Sequence, residues 1–368
     1  MVLTLILLSK LQDQPFFDVS VDDRSVKSEL TKISKADFIA FDERFFDIIG
    51  SEPSLERMFD LSTSLREAPV YIPSQNKLFV SDQGAGKQML IDLNVEPPTY
   101  EYITLNPPIE GVNGAMYSPY DGLIYATVNA CPSAESGIYS IDPATLATKA
   151  VVNNFIGHHF NSPNDLALTD DGIWFTDPPY AAILGNASSA ELRATVYFYN
   201  ITSKVLRPVE EDIQMPNGVA TSVDNKLLYI ADSGALCQPI GKPTVPTKHH
   251  SVYAYDVVGS GQIRNRRLFY ISDHWVPDGI KTTPAGNLYS AAGVFVDIVS
   301  PDGDLLGKLT FPGIVANIAF AGPEYNQLWI VGISGIYRAK IKEQGAHLDE
   351  NLGLSRWSFR DQNQKVKS

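Results

Sequence analysis

One short unit recurs six times along the chain. Its clearest copy is Asn161–Tyr180, NSPNDLALTDDGIWFTDPPY. A polar pair, Asn164-Asp165, is followed by an apolar alternation, then Asp171-Gly172, then the β-rich run Ile173–Thr176. Asp-Gly between two such runs predicts a hairpin, and Pro178-Pro179 end its second strand. The same order appears at Glu67-Ala-Pro-Val-Tyr71 before LFVSD and at Asn113-Gly-Ala-Met-Tyr117 before LIYATV. It returns at Asn217-Gly-Val-Ala-Thr221 before LLYIAD, Asp278-Gly-Ile-Lys-Thr282 before LYSAA, and Asn317-Ile-Ala-Phe320 before LWIVG. Paired strands repeating every ~40 to 60 residues predict an all-β fold, a six-bladed β-propeller with an N-terminal extension.

That architecture constrains the leading residues. The first strand of each blade lines a central channel, so Glu67, Asn113, Asn164, Asn217, Asp278 and Asn317 converge at one depth. Two carboxylates and four amides then face one another, with no Lys, Arg or His at these positions. Buried charge must be paired or bind a metal. Oxygen ligands of this kind suit one divalent cation, Ca²⁺ best. Asn-Gly and Asp-Gly are also common turn dipeptides, but turn chemistry does not account for Glu67, nor for six polar residues in register.

The chain has 368 residues and a formal net charge of −13. That charge argues against nucleic-acid binding, which normally wants a basic face. Six repeats occupy 61–345, leaving 1–60 as an extension that packs on or closes the propeller and 346–368 as a polar tail, loose from Glu343 onward. Within the extension, Phe38–Ile49 predicts a short helix on a blade edge. Leu55–Phe59 predicts an outer strand that closes the ring against the last blade. Two cysteines, Cys131 and Cys237, lack metal or redox spacing and are expected as free thiols. Met1–Leu8 is apolar but short, with no basic residue before it and no small-residue cleavage signal soon after, so cytosolic residence is favoured over secretion. No stretch reaches membrane-spanning length. Sequons occur at Asn186 and Asn200.

Around the predicted ring, Asp82, Asp177 and Asp232 each close a second strand. They are expected to accept backbone N–H bonds in their loops. The segments leading to Asn164 and Asp278 carry His158-His159 and His274-Trp275. His158, His159 and Trp275, with Tyr180 and Asn129 from outgoing loops and Asn113 from the ring, are the candidate substrate-binding residues. The Pro-containing insert Gly234–His250 lies where lids are often found.

Asn161–Tyr180, Met215–Val219, Asp224–Gly234, Val276–Ile280 and Val299–Leu306 together resemble the gluconolactonase, regucalcin and luciferin-regenerating enzyme family. Phe41–Gly50 and Pro53–Glu56 are similar to its fungal lactonohydrolase branch. The resemblance covers most of 40–340. It implies a six-bladed propeller with one axial divalent metal, usually calcium, held by Glu67, Asn217 and Asp278. Asn164 would be a further ligand or a substrate contact. Where the family usually has a basic or polar residue shortly before the Asn-Asp pair, this chain has His158-His159, which bears on sugar-lactone specificity.

The expected function is therefore a metal-dependent lactonase acting on a small-molecule lactone. The cation polarises the carbonyl and a carboxylate deprotonates the attacking water. The base is one of the two ring carboxylates, Glu67 or Asp278. Asp278 is favoured because Ala68-Pro69 stiffens the chain after Glu67, whereas Asp278 is followed by Gly279. No G-x-S-x-G element suggests a covalent acyl-enzyme. The alternatives are an arylesterase or phosphotriesterase on the same site, and a non-catalytic binding propeller. The sequence does not specify the oligomeric state.

Overall fold

The structure is a computed structural model that describes residues 36–61, 64–183, 189–236, 245 and 247–346. Six antiparallel sheets surround a channel. Their innermost strands are Arg66–Ile72, Val112–Tyr117, Leu166–Leu168, Pro216–Thr221, Ile280–Thr282 and Val315–Ala321, in blades 1 to 6. Each blade then steps outward through three further strands. One apolar cluster fills each gap between neighbouring blades. Phe160, Phe175 and Tyr197 pack with Tyr125 between blades 2 and 3, and Trp329 and Val331 pack with Leu78 and Val80 between blades 6 and 1. Alternation along the middle strands puts one side chain into each neighbouring gap, so a period-2 pattern in sequence becomes a ring of six cores.

The N-terminal stretch enters these sheets. Ser54–Phe59 forms the outer strand of blade 6, pairing antiparallel with Ile336–Lys340. The ring is thus closed by both ends of the domain, which leaves no unpaired seam. Phe38–Ala40 adds a fifth strand to blade 5 by pairing with Leu305–Thr310. The expected helix over Phe38–Ile49 is shorter, Arg44–Ile49, because its β-rich start joins that edge. Phe45 is buried against Gly307, where a Cβ would lie 2.3 Å from the ring.

Two local expectations need correcting. The hairpin of Asn161–Tyr180 forms, but its turn falls at Thr169–Asp171 and Gly172 begins the second strand. Thr169 N donates to Gly172 O at 2.9 Å and Thr169 Oγ1 to Asp171 Oδ1 at 2.9 Å, which closes a longer turn than Asp-Gly alone requires. The chain is also held past Glu343. That carboxylate accepts hydrogen bonds from Thr283, Asn287 and Tyr289, at 2.5 to 2.8 Å. Cys131 carries a free thiol. Cys237, the Asn186 sequon, much of the Gly234–His250 insert and the tail beyond 346 lie outside the described residues. Among the described residues, no helix is long and apolar enough to cross a membrane.

Candidate active site

The innermost strands are irregular where the leading residues sit. Register slips between Glu67 and Val70, Val112 and Ala115, Pro216 and Val219, and Val315 and Asn317. In blade 3, Asn164 N donates to Thr176 O and Thr176 N to Asp165 O, at 2.9 and 3.1 Å. In blade 5, Asp278 N donates to Ala291 O and Ala291 N to Gly279 O, at 2.8 and 3.0 Å. Each time, extra residues on the inner strand face fewer on its neighbour. Such bulges re-aim side chains.

The recurring glycine after a leading residue has a cause other than turn formation. Gly114, Gly218 and Gly279 all lack the left-handed φ of a turn glycine. A Cβ at Gly218 would lie 2.1 Å from Asp278 O, one at Gly114 2.5 Å from Asn164 O, and one at Gly279 2.3 Å from Asn317 Oδ1. Adjacent inner strands approach so closely at this depth that only glycine fits. Two buried threonines stitch the same layer. Gly114 N donates to Thr127 Oγ1, which donates to Asn164 O, both at 2.7 Å. Asp165 N donates to Thr176 Oγ1 at 3.1 Å, and Thr176 Oγ1 donates to Asn217 O at 2.7 Å.

Glu67, Asn164, Asn217 and Asn317 are buried, while Asp278 and Asn113 are half-buried. Glu67 accepts from Asn317 Nδ2 at 3.3 Å, and Asn317 Oδ1 accepts from Ile318 N at 2.9 Å, so this amide is held in one orientation. Burial pushes the Glu67 carboxyl well above its usual range, and the nearby Asp278 and Asp165 charges push it further. Burial also raises Asp278 to about 7, with Asp165 adding to the rise and Asn217 opposing it. Asp165 itself is raised by burial and held down by Lys281, whose Nζ is 3.6 Å from Asp165 Oδ2.

The channel therefore holds a third carboxylate and one cation that the six leading positions did not contain. The six leading positions themselves carry no basic residue; the cation is Lys281, three residues beyond Asp278, on the strand Ile280–Thr282. Asn217 Nδ2 donates to Tyr180 Oη at 3.1 Å, while Asn217 Oδ1 is buried without a hydrogen-bond partner. An orphaned amide oxygen beside mutually repelling carboxylates is a donor set that fits a hard cation. Among the described residues, no three His, Cys, Asp or Glu side chains are arranged to hold a metal alone. Any cation here would therefore need the amide oxygens.

Asn129 follows the second strand of blade 2, its Oδ1 buried and unpartnered. His158 and His159 lie exposed on a small hairpin, Asn154–Phe155 paired with His158–His159. Their Nδ1 atoms approach Glu191 at 3.5 Å and Glu135 at 3.3 Å, respectively. Trp275 packs on Gly293 and His274 meets Phe295 edge-on. Asp177 accepts from Asn161 N and Ser162 N, and burial raises it to about 7. Asp82 accepts from Ala85 N, and Asp232 from Gln214 N, Met215 N and Gly234 N. Asp232 Oδ2 also contacts His249 Nδ1 at 2.8 Å. An apolar cavity of about 140 Å³, lined by Val70, Met116, Leu166, Val219 and Phe320, lies farther along the inner strands from the carboxylates. Of the ring's charged groups only Lys281 borders it; none of the three carboxylates does.

Residues 65–334 match the family described as the SMP-30/gluconolactonase/LRE-like region. The lactonohydrolase oryL of Aspergillus oryzae is 35% identical over 336 residues, 86% of this chain and 77% of that protein. A gluconolactonase of Zymomonas mobilis is 29% identical over 325 residues, 80% of this chain and 85% of that protein. Among solved structures, a gluconolactonase from Xanthomonas campestris aligns with a TM-score of 0.68 at 23% identity, covering 82% of this chain and 93% of that one. Regucalcin from Agrobacterium tumefaciens, described as a calcium-binding protein, aligns with a TM-score of 0.62 at 14% identity, covering 80% and 95%. At these identities the structural likenesses speak for the fold alone.

Proposed function

The chain belongs to the SMP-30/gluconolactonase/LRE-like family, and from that premise we propose that it is a lactonase, opening an intramolecular ester with one divalent cation, Ca²⁺, at the channel ring. One observation carries the cation reading: buried Glu67 and Asp165 and half-buried Asp278 repel one another beside the unpartnered Asn217 Oδ1. Left alone, such an arrangement is costly.

Glu67, Asn164, Asn217 and Asp278 would hold the ion, which would supply a Lewis-acid charge for the lactone carbonyl. Asp278 would act as the base. It is the ring carboxylate still open to the channel, so it can reach a water there and take its proton. In the reaction, water oxygen bonds to the carbonyl carbon and its proton passes to Asp278. The acyl C–O bond breaks and the ring oxygen receives a proton, giving a hydroxy acid. Glu67, tied to Asn317, would serve as a fixed ligand rather than a proton carrier. His158, His159, Trp275, Asn113 and Asn129 would shape the substrate side.

A panel of lactones, aryl esters and phosphotriesters with and without chelator, followed by acid release, tests this reading. Chelator-sensitive lactone opening is expected. Full lactone hydrolysis in demonstrably metal-free protein would remove the cation from the reaction, and activity confined to the other esters would change the substrate class.

A further inference from the structure

Lys281 projects from the innermost strand of blade 5, Ile280–Thr282, to Asp165 of blade 3. Asp165 is 1% exposed. Its Oδ1 accepts from Leu166 N at 2.8 Å, while its Oδ2 has no hydrogen-bond partner and faces the ammonium at 3.6 Å. Lys281 also borders the apolar cavity, and its side chain keeps 25% exposure against 1% for Asp165, so water screens the pair only in part. Charges in such surroundings act over longer distances than they do in water.

We infer that Lys281 is a built-in counter-charge that matches the ring to a divalent ion. Glu67, Asp165 and Asp278 carry three negative charges when ionised, and Lys281 returns one. The remainder is balanced by one divalent cation, whereas a trivalent ion would leave the layer positive. Lys281 thereby acts on ion choice without touching the ion, as a positioning and electrostatic residue. This inference rests on the cation reading proposed above.

The test compares Ca²⁺ and Tb³⁺ affinities by calorimetry and terbium luminescence in the wild type, K281M, K281R and the double variant D165N/K281M. Removing one charge at this range should move the trivalent-over-divalent preference toward Tb³⁺ by about tenfold. K281R should keep the wild-type ratio. D165N/K281M, which removes one charge of each sign, should return to it. A purely structural lysine would weaken both ions by the same factor, and an unchanged ratio in K281M would overturn the inference while leaving the cation site standing. Wild-type protein that binds neither ion would overturn the cation reading and this inference with it. If K281M does not fold, K281Q carries the same expectation and D165N/K281M still decides the charge argument.

Discussion

Tyr180 Oη accepts a hydrogen bond from Asn217 Nδ2 at 3.1 Å, and Oδ1 of the same amide is left without a partner. Tyr180 opens a short helical turn, Tyr180–Ile183, just beyond Pro178-Pro179. Its phenol fixes which end of the amide faces away from it. Groups that orient a ligand commonly matter to metal affinity by 10- to 100-fold. The sequence places Tyr180 among substrate contacts. If Asn217 Oδ1 holds the proposed ion, Tyr180 gains a second task, orienting that amide.

Tyr180→Phe should therefore weaken Ca²⁺ binding by about tenfold or more while leaving the thermal midpoint of the cation-free protein nearly unchanged. Calorimetric titration with Ca²⁺ is the check. A variant with normal calcium affinity and a raised KM would return Tyr180 to the substrate side alone.

Thr176→Val should destabilise the propeller more than a surface threonine would. It strands the carbonyl of Asn217 and the N–H of Asp165, both buried. Each unsatisfied group costs about 1–3 kcal/mol. Equilibrium denaturation, with Thr127→Val as the parallel case in blade 2, measures it. Loss below ~0.5 kcal/mol in both variants would mean that the threonine stitching does not hold the layer.

How much of this could be read in the sequence follows from what a repeat encodes. Six polar residues at equivalent points ahead of β-rich runs are visible as text, and neighbouring ones come close: Gly114 meets Asn164, Gly218 meets Asp278, Gly279 meets Asn317, and Asn317 meets Glu67. Bulges are not visible, because an extra residue in a strand leaves the period-2 pattern almost intact. Asp165 and Lys281 were missed for that reason: each lies one to three residues beyond a leading position and was assigned no place in the channel. Thr127 and Thr176 left a faint signal, a threonine at the same point of LIYATV and IWFTD. Glycine after the leading residue was visible but open to two explanations. Only the 2.1 Å approach to Asp278 O at Gly218 separates close strand packing from turn formation.

Gly218→Ala follows from that distance. The added carbon meets backbone, which cannot rotate away as a side-chain tip can, so strand or ligand must shift. We expect a loss of about 1–3 kcal/mol, the usual scale for overpacking, together with weakened calcium binding, because the carbonyl it meets belongs to Asp278. Denaturation and calcium titration on the same preparation would show it. A stable variant with unchanged affinity would mean that the inner strands have slack.

Stability of the cation-free protein should fall as pH rises from about 4 to about 7. Asp278 and Asp177 are both raised to about 7, and Glu67 and Asp165 are raised in the same direction. In the unfolded chain these groups release their protons near 4. Over the interval the folded state therefore holds more protons than the unfolded one, and stability declines with pH. Calcium should flatten the part of the slope that comes from the ring and leave the part from Asp177. Melting curves at half-unit pH steps with chelator or calcium test the sign. A chelated midpoint that climbs steadily from pH 4.5 to 7 would contradict it.

Asp278→Asn separates holding the ion from moving the proton. The amide keeps an oxygen for a cation and cannot take a proton from water. Glu67 is a poor substitute as base, since Asn317 occupies its Oε2 and Ala68, at a φ of 52°, holds the chain stiffly behind it. Calcium binding should persist with reduced affinity, and kcat should fall by about 10²-fold or more, the scale of a lost general base. The measurement must be made at saturating calcium, so that weakened ion binding does not pass for lost chemistry. Near-normal turnover under that condition would remove Asp278 from the base role and leave it as a ligand only. If binding and turnover vanish together, the substitution has dismantled the ring. Asp278→Glu, which restores the carboxylate one methylene farther out, then becomes the informative comparison: recovery of binding without turnover would place the demand on the base's position.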